Sequence, residues 1–74
     1  MTHPEFIATC SAIAAKYGVA LVDLSREGVA SLEYLKNGNY IGGWSLIGSV
    51  EYITNKDIAG IEAQIKYLSR RKRA

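Results

Sequence analysis

At 74 residues, 49% of them hydrophobic and 22% charged, the chain has room for one small globular domain and is too apolar to remain disordered. Its apolar runs, such as GVALV and AIAA, fall far short of the roughly 20 residues that span a bilayer, and no basic leader precedes them. Cys10 is alone and distant from the single histidine, His3, which excludes an internal disulfide and a zinc-type ligand set. The expectation is a soluble, cytoplasmic chain with no metal and no cofactor. Charge divides unevenly: residues 1–65 set Lys16, Arg26, Lys36 and Lys56 against all seven acids, net −3, whereas residues 66–74 carry Lys66, Arg70, Arg71, Lys72 and Arg73, net +5. An acidic body with a basic end suits either a polyanion-binding segment or a helix terminus whose cations complement the macrodipole.

The first element reads as a helix. Thr2 and Glu5 in THPE form a capping box, with Pro4 in the first turn, where a missing N–H costs little. Phe6, Cys10, Ile13 and Tyr17 then recur at helical spacing, and Gly18 supplies a left-handed stop. His3 and Cys10 have structural roles in this reading, since nucleophilic chemistry needs a base and an orienting group converging on one atom.

Three strand-like runs follow. Asn37-Gly38 predicts a two-residue type I′ hairpin, which pairs Leu35 with Tyr40, Glu33 with Gly42 and Ser31 with Trp44. The earlier REG (26–28) predicts a three-residue loop that pairs Val22 with Leu32. In this register Ala20, Val22, Leu24, Ala30, Leu32, Tyr34, Ile41, Gly43, Ser45 and Ile47 share a nearly wholly apolar face for the helices. A two-residue turn would bring Asp23 and Ser25 onto that face, so apolarity favours the longer loop. The other face collects Trp44, Tyr40, Leu21, Leu35 and Leu46 with the carboxylates Asp23 and Glu33. An apolar patch rimmed by polar groups marks an interaction surface. The glycine pair in YIGGW points to close backbone approach or to a bulge.

Residues 48–54 read as a short fourth strand or a loop. TNKD then opens a second helix with Thr54 as N-cap, and Ile58, Ile61, Ile65 and Leu68 form its buried stripe. Glu62 and Lys66 are spaced for a surface ion pair, and Gly60 suggests tight packing. The expected fold is a single α+β domain over residues 1–74: an α-β-β-β-(β)-α order with an antiparallel sheet of three or four strands and both helices on one face. That order is similar in layout to double-stranded RNA-binding domains, a resemblance that implies contacts from a lysine cluster at the start of the second helix. Here the corresponding TNKDIAG offers Lys56 alone, beside Asp57.

No constellation of catalytic groups and no phosphate-binding glycine loop is present in the sequence, so the expectation is a non-enzymatic protein. The leading expectation is a protein-binding module, an inhibitor or modulator of a larger protein or complex in the style of those encoded by phages and other mobile elements. Its partner surface would be Trp44, Tyr40, Leu21, Leu35, Leu46, Asp23 and Glu33. Nucleic-acid binding through Lys66, Arg70, Arg71, Lys72 and Arg73 is the second expectation. A homodimer through the outward sheet face is compatible with both, and neither a membrane nor a small-molecule ligand is expected.

Overall fold

A computed structural model describes residues 1–71. Its elements, in chain order, are α1 (His3–Lys16), β1 (Ala20–Asp23), β2 (Val29–Lys36), β3 (Asn39–Ile47), a 3-10 turn (Val50–Tyr52) and α2 (Asn55–Arg70). The α-β-β-β-α order expected from the sequence is therefore the order found. Residues 48–54 contain the 3-10 turn rather than a fourth strand, with the Ser49 hydroxyl accepting from the Glu51 amide at 3.4 Å.

Both helices begin as their sequences dictate. The Thr2 hydroxyl accepts from the Glu5 amide at 3.3 Å while the Glu5 carboxylate accepts from the Thr2 amide at 2.9 Å, so two amides that no helical carbonyl can reach are satisfied. Thr54 and Asp57 repeat the arrangement at the start of α2. Helix α1 closes at Tyr17 and Gly18, the latter at φ +71°. Two expectations for α2 fail. Glu62 hydrogen-bonds Lys16 and the Tyr17 hydroxyl, both at 2.9 Å, and thus ties α2 to α1 instead of bracing its own surface through Lys66. Gly60 is exposed, with nothing within 4 Å of where a Cβ would stand, so tight packing is not its reason.

The sheet is antiparallel in the order β1-β2-β3. Asn37 (φ 54°) and Gly38 (φ 79°) make the two-residue hairpin, and Lys36 faces Asn39 and Leu35 faces Tyr40 as predicted. Beyond that point the register departs from the expected one. Ile41 is an extra residue in β3, so Tyr34 faces Gly42, Leu32 faces Trp44 and Ala30 faces Leu46. A bulge of this kind exchanges the two faces of everything that follows it. The second departure is at the first hairpin, where Arg26 and Val29 exchange two 2.9 Å backbone bonds around a two-residue Glu27-Gly28 turn. Val22 is consequently opposite Glu33, Leu21 opposite Tyr34 and Asp23 opposite Leu32.

Both helices cover the face that presents Ala30, Leu32 and Tyr34, and these pack with Phe6, Cys10, Val19, Ile61 and Ile65 into one core. Gly42 lies under α2: a Cβ there would stand 2.5 Å from Leu68 Cδ1. Of the YIGGW glycine pair, Gly42 is the one that meets a helix side chain. The buried Tyr34 hydroxyl donates to Gln64 Oε1 at 2.9 Å, and Gln64 Nε2 donates to the Gly43 carbonyl at 3.0 Å. One α2 side chain thus links the central strand to the edge strand.

Candidate functional site: the open face of the sheet

The face turned away from the helices is uncovered among the described residues, and the pairing lays it out in cross-strand rows. Ala20, Leu35 and Tyr40 form the first row and Val22, Glu33 and Gly43 the second. Leu24, Ser31 and Ser45 make the third, with the Leu24 amide donating to the Ser31 carbonyl at 2.9 Å, and Arg26, Val29 and Ile47 complete the surface. Two charges are among them: Glu33 in the middle of the central strand and Arg26 at the hairpin end. Leu24, Tyr40 and Ile47 are 47%, 61% and 91% exposed.

A shallow recess of about 250 Å³ opens on this face, bordered by Leu24, Ser31, Glu33, Tyr40 and Ser45 and reaching Leu32, Gly43 and Trp44. Its floor exists because residue 43 lacks a side chain. A Cβ at that position would stand 2.8 Å from the Leu32 carbonyl oxygen and 3.6 Å from the Tyr40 hydroxyl.

The structure separates the residues predicted for the partner surface into two groups. Tyr40, Leu35 and Glu33 are on the open face. Trp44, Leu21 and Leu46 are on the helix side, packed against the core, because the bulge at Ile41 and the two-residue turn each shift an outer strand by one residue. Asp23 is also on the helix side, at the end of β1, where His3 Nε2 lies 2.6 Å from Oδ2 and the Ser25 amide donates to Oδ1 at 3.0 Å. Partial burial pushes the Asp23 carboxyl up, but the Ser25 amide and the imidazole outweigh it and leave the group below its ordinary value. A carboxylate is thus tolerated on the helix side at the rim, where α1 begins. Leu24 and Ile47, assigned to the core from the sequence, are the exposed residues that replace the displaced ones.

Other chemistry-bearing groups are committed to the fold. Burial raises the Cys10 thiol to about 11, which keeps it protonated at neutral pH. The Tyr34 phenol is likewise raised by burial and bonded to Gln64. Among the described residues no cluster of three or more His, Cys, Asp or Glu side chains is placed to hold a metal ion, and no described helix is long and apolar enough to cross a membrane. At the end of α2, Lys66, Tyr67, Arg70 and Arg71 border a second shallow surface on which Tyr67 is 65% exposed. Lys72 and Arg73 lie outside the described residues. Comparisons of the chain with protein-family models, with curated proteins and with solved structures found no match.

Proposed function

We propose that this protein is a non-enzymatic binding module that lays the open face of its sheet on a surface of another protein, modulating or inhibiting that partner by occlusion. The observation that carries this reading is the joint exposure of Leu24, Tyr40 and Ile47 on one face, with Glu33 and Arg26 as the charges among them. An exposed apolar patch rimmed by polar groups supports an interaction surface. A chain of this size also has little apolar surface to spare outside its core.

The test is site-specific photocrosslinking in extract of the cells that make the protein. A photoreactive residue at 24, 40 or 47 is expected to give one adduct of defined mass, competed by unmodified protein. The same residue at Ala8, Ala59 or Ala63, which are exposed on the helices, is expected to give none. Adducts confined to the helix positions would refute the reading.

A polyanion is the second reading, favoured by the exposed Tyr67 ring among Lys66, Arg70 and Arg71. Its signature is binding that weakens steeply with salt and is lost when residues 70–74 are removed. The carboxylate at the centre of the open face weighs against nucleic acid stacking on the sheet.

A further inference from the structure

The strand order β1-β2-β3 leaves the sheet two edges, and they differ. β1 is blunted by its length, four residues ending in Asp23, whereas β3 runs for nine residues, Asn39–Ile47, with no charged side chain and no proline. An edge that long and neutral is a template for another strand. Alternate residues of an antiparallel strand turn their N–H and C=O groups to opposite sides. The Leu24 amide donates to Ser31 and the Gly48 amide to Gly28, so odd-numbered residues of β2 serve β1 and even-numbered ones serve β3. Gly42, Trp44 and Leu46 therefore face inward, and the backbone groups of Gly43, Ser45 and Ile47 face outward. The Gly43 carbonyl accepts from Gln64 Nε2 at 3.0 Å. Among the described residues no hydrogen bond reaches the outward groups of Ser45 and Ile47.

We propose that β3 pairs with β3 of a second copy, antiparallel about a twofold axis at Ser45, to make one continuous sheet. The outward set is self-complementary about that residue. Ser45 exchanges both backbone bonds with its own mate and Gly43 exchanges them with Ile47, while the Gly43 carbonyl keeps a lone pair for Gln64. The projecting Ile47 then lies beside a residue with no side chain, and no charge on the strand meets its own mate. Gly60 argues for a whole second copy rather than a bare strand. Leu68 lies over Gly42 and Gln64 reaches Gly43, so α2 runs antiparallel to β3 along this edge. Two strand residues advance about 6.6 Å and four helix residues about 6 Å, which sets Gly60, one turn before Gln64 on the same flank, level with Ser45. The axis that pairs the strands thus brings the two α2 helices past each other at an exposed glycine that nothing within one chain explains. Both open faces turn to the same side, so the dimer doubles the surface proposed above instead of covering it.

Sedimentation equilibrium and NMR of the full chain test it. A dimer is expected, with the Ser45 and Ile47 amides protected from exchange as concentration rises. A mixed ¹²C/¹³C sample should give intermolecular NOEs between the α-protons of Trp44 and Leu46, which face each other in this register. Ser45→Pro removes an outward amide that no strand of the same chain uses, and Gly60→Lys adds bulk at the axis while favouring the helix. Each should weaken the dimer about tenfold or more, the scale of two lost backbone bonds, with the monomer's circular dichroism unchanged. A chain that stays monomeric at millimolar concentration, or a dimer indifferent to both variants, would overturn the proposal. Intermolecular NOEs from Leu24 and Tyr40 would overturn it and also remove the open face as a free surface. Protection of Ser45 and Ile47 only in the photocrosslinked complex would assign the edge to a foreign strand instead. Photoadducts from positions 24 and 40 should persist in both variants, and their absence from the parent protein would refute the open-face reading while leaving the dimer standing.

Discussion

The Trp44 ring lies 5.8 Å from the Phe6 ring, centroid to centroid, with the two planes inclined at 45°. This tilted contact fixes β3 to α1 across the core and places the chain's one indole in the service of the fold. Trp44→Ala is expected to cost about 3 kcal/mol of stability, in the range of large-to-small core changes. Leu24→Ser and Tyr40→Ser, on the open face, should change it by less than about 1 kcal/mol. Urea unfolding followed by circular dichroism separates the two groups. A Trp44→Ala variant as stable as the parent would show that the contact contributes nothing.

The adjacent glycines of β3 should lose stability to the same methyl group for different reasons. At position 43 the new Cβ meets the backbone carbonyl of Leu32 at 2.8 Å, and a paired strand cannot retreat, so Gly43→Ala should lose about 1–3 kcal/mol. At position 42 it meets the tip of the Leu68 side chain, which rotates away, and the loss comes instead from the backbone, whose φ of +158° strains an L residue by about 1–3 kcal/mol. Parallel denaturation curves test both losses, and a variant as stable as the parent at either position would contradict the strand geometry described here.

Acid sensitivity follows from carboxylates held at the two ends of α1. Hydrogen bonds from Lys16 and Tyr17 lower the Glu62 carboxyl below its ordinary 4.5. For Asp23, the Ser25 and His3 contacts overcome partial burial and bring the group below its ordinary 3.8. A group that titrates lower when folded stabilises the protein above its unfolded value, and that contribution disappears as pH falls through the folded one. Unfolding midpoints should therefore be steady from neutrality to about pH 5 and decline from there towards pH 2. The decline should be shallower in Glu62→Gln and in Asp23→Asn. A slope unaltered in both variants would place the acid sensitivity elsewhere.

Cys10 should be chemically silent while the protein is folded. It is fully buried, and with the thiol raised to about 11 almost none of it is thiolate at neutral pH. Mass spectrometry after iodoacetamide treatment should show no adduct in native buffer and one adduct in denaturant. Rapid native labelling would mean that α1 separates from the sheet.

Much of the fold was legible in the sequence because its local signals are self-contained. The two capping boxes, Gly18 and Asn37-Gly38 each act within a few residues, and each element they mark is present. The faces of β1 and β3 were less legible, since a strand's face depends on counting residues from the nearest turn. The expected three-residue loop at 26–28 kept Asp23 away from the helices on grounds of apolarity. His3, twenty positions earlier, makes the rim of that face acceptable to a carboxylate. The extra residue at Ile41 was signalled by the following glycine pair, but nothing local decides between a bulge and a close approach. Tyr40 precedes the bulge and Glu33 and Leu35 belong to the central strand, so these three kept their predicted face while Trp44 and Leu46 changed theirs.

The bridge from Tyr34 through Gln64 to Gly43 narrows what evolution can write at one position. Its two partners ask for opposite things, because the phenol must find an acceptor and the carbonyl a donor. Glutamate would turn an oxygen toward the carbonyl, lysine would offer the phenol nothing to donate to, and methionine would abandon both. Asparagine carries the right atoms on a shorter stem. Homologous chains that drift freely on α2's outer surface should still spell glutamine at this point, and where they do not, residue 34 should have lost its hydroxyl as well.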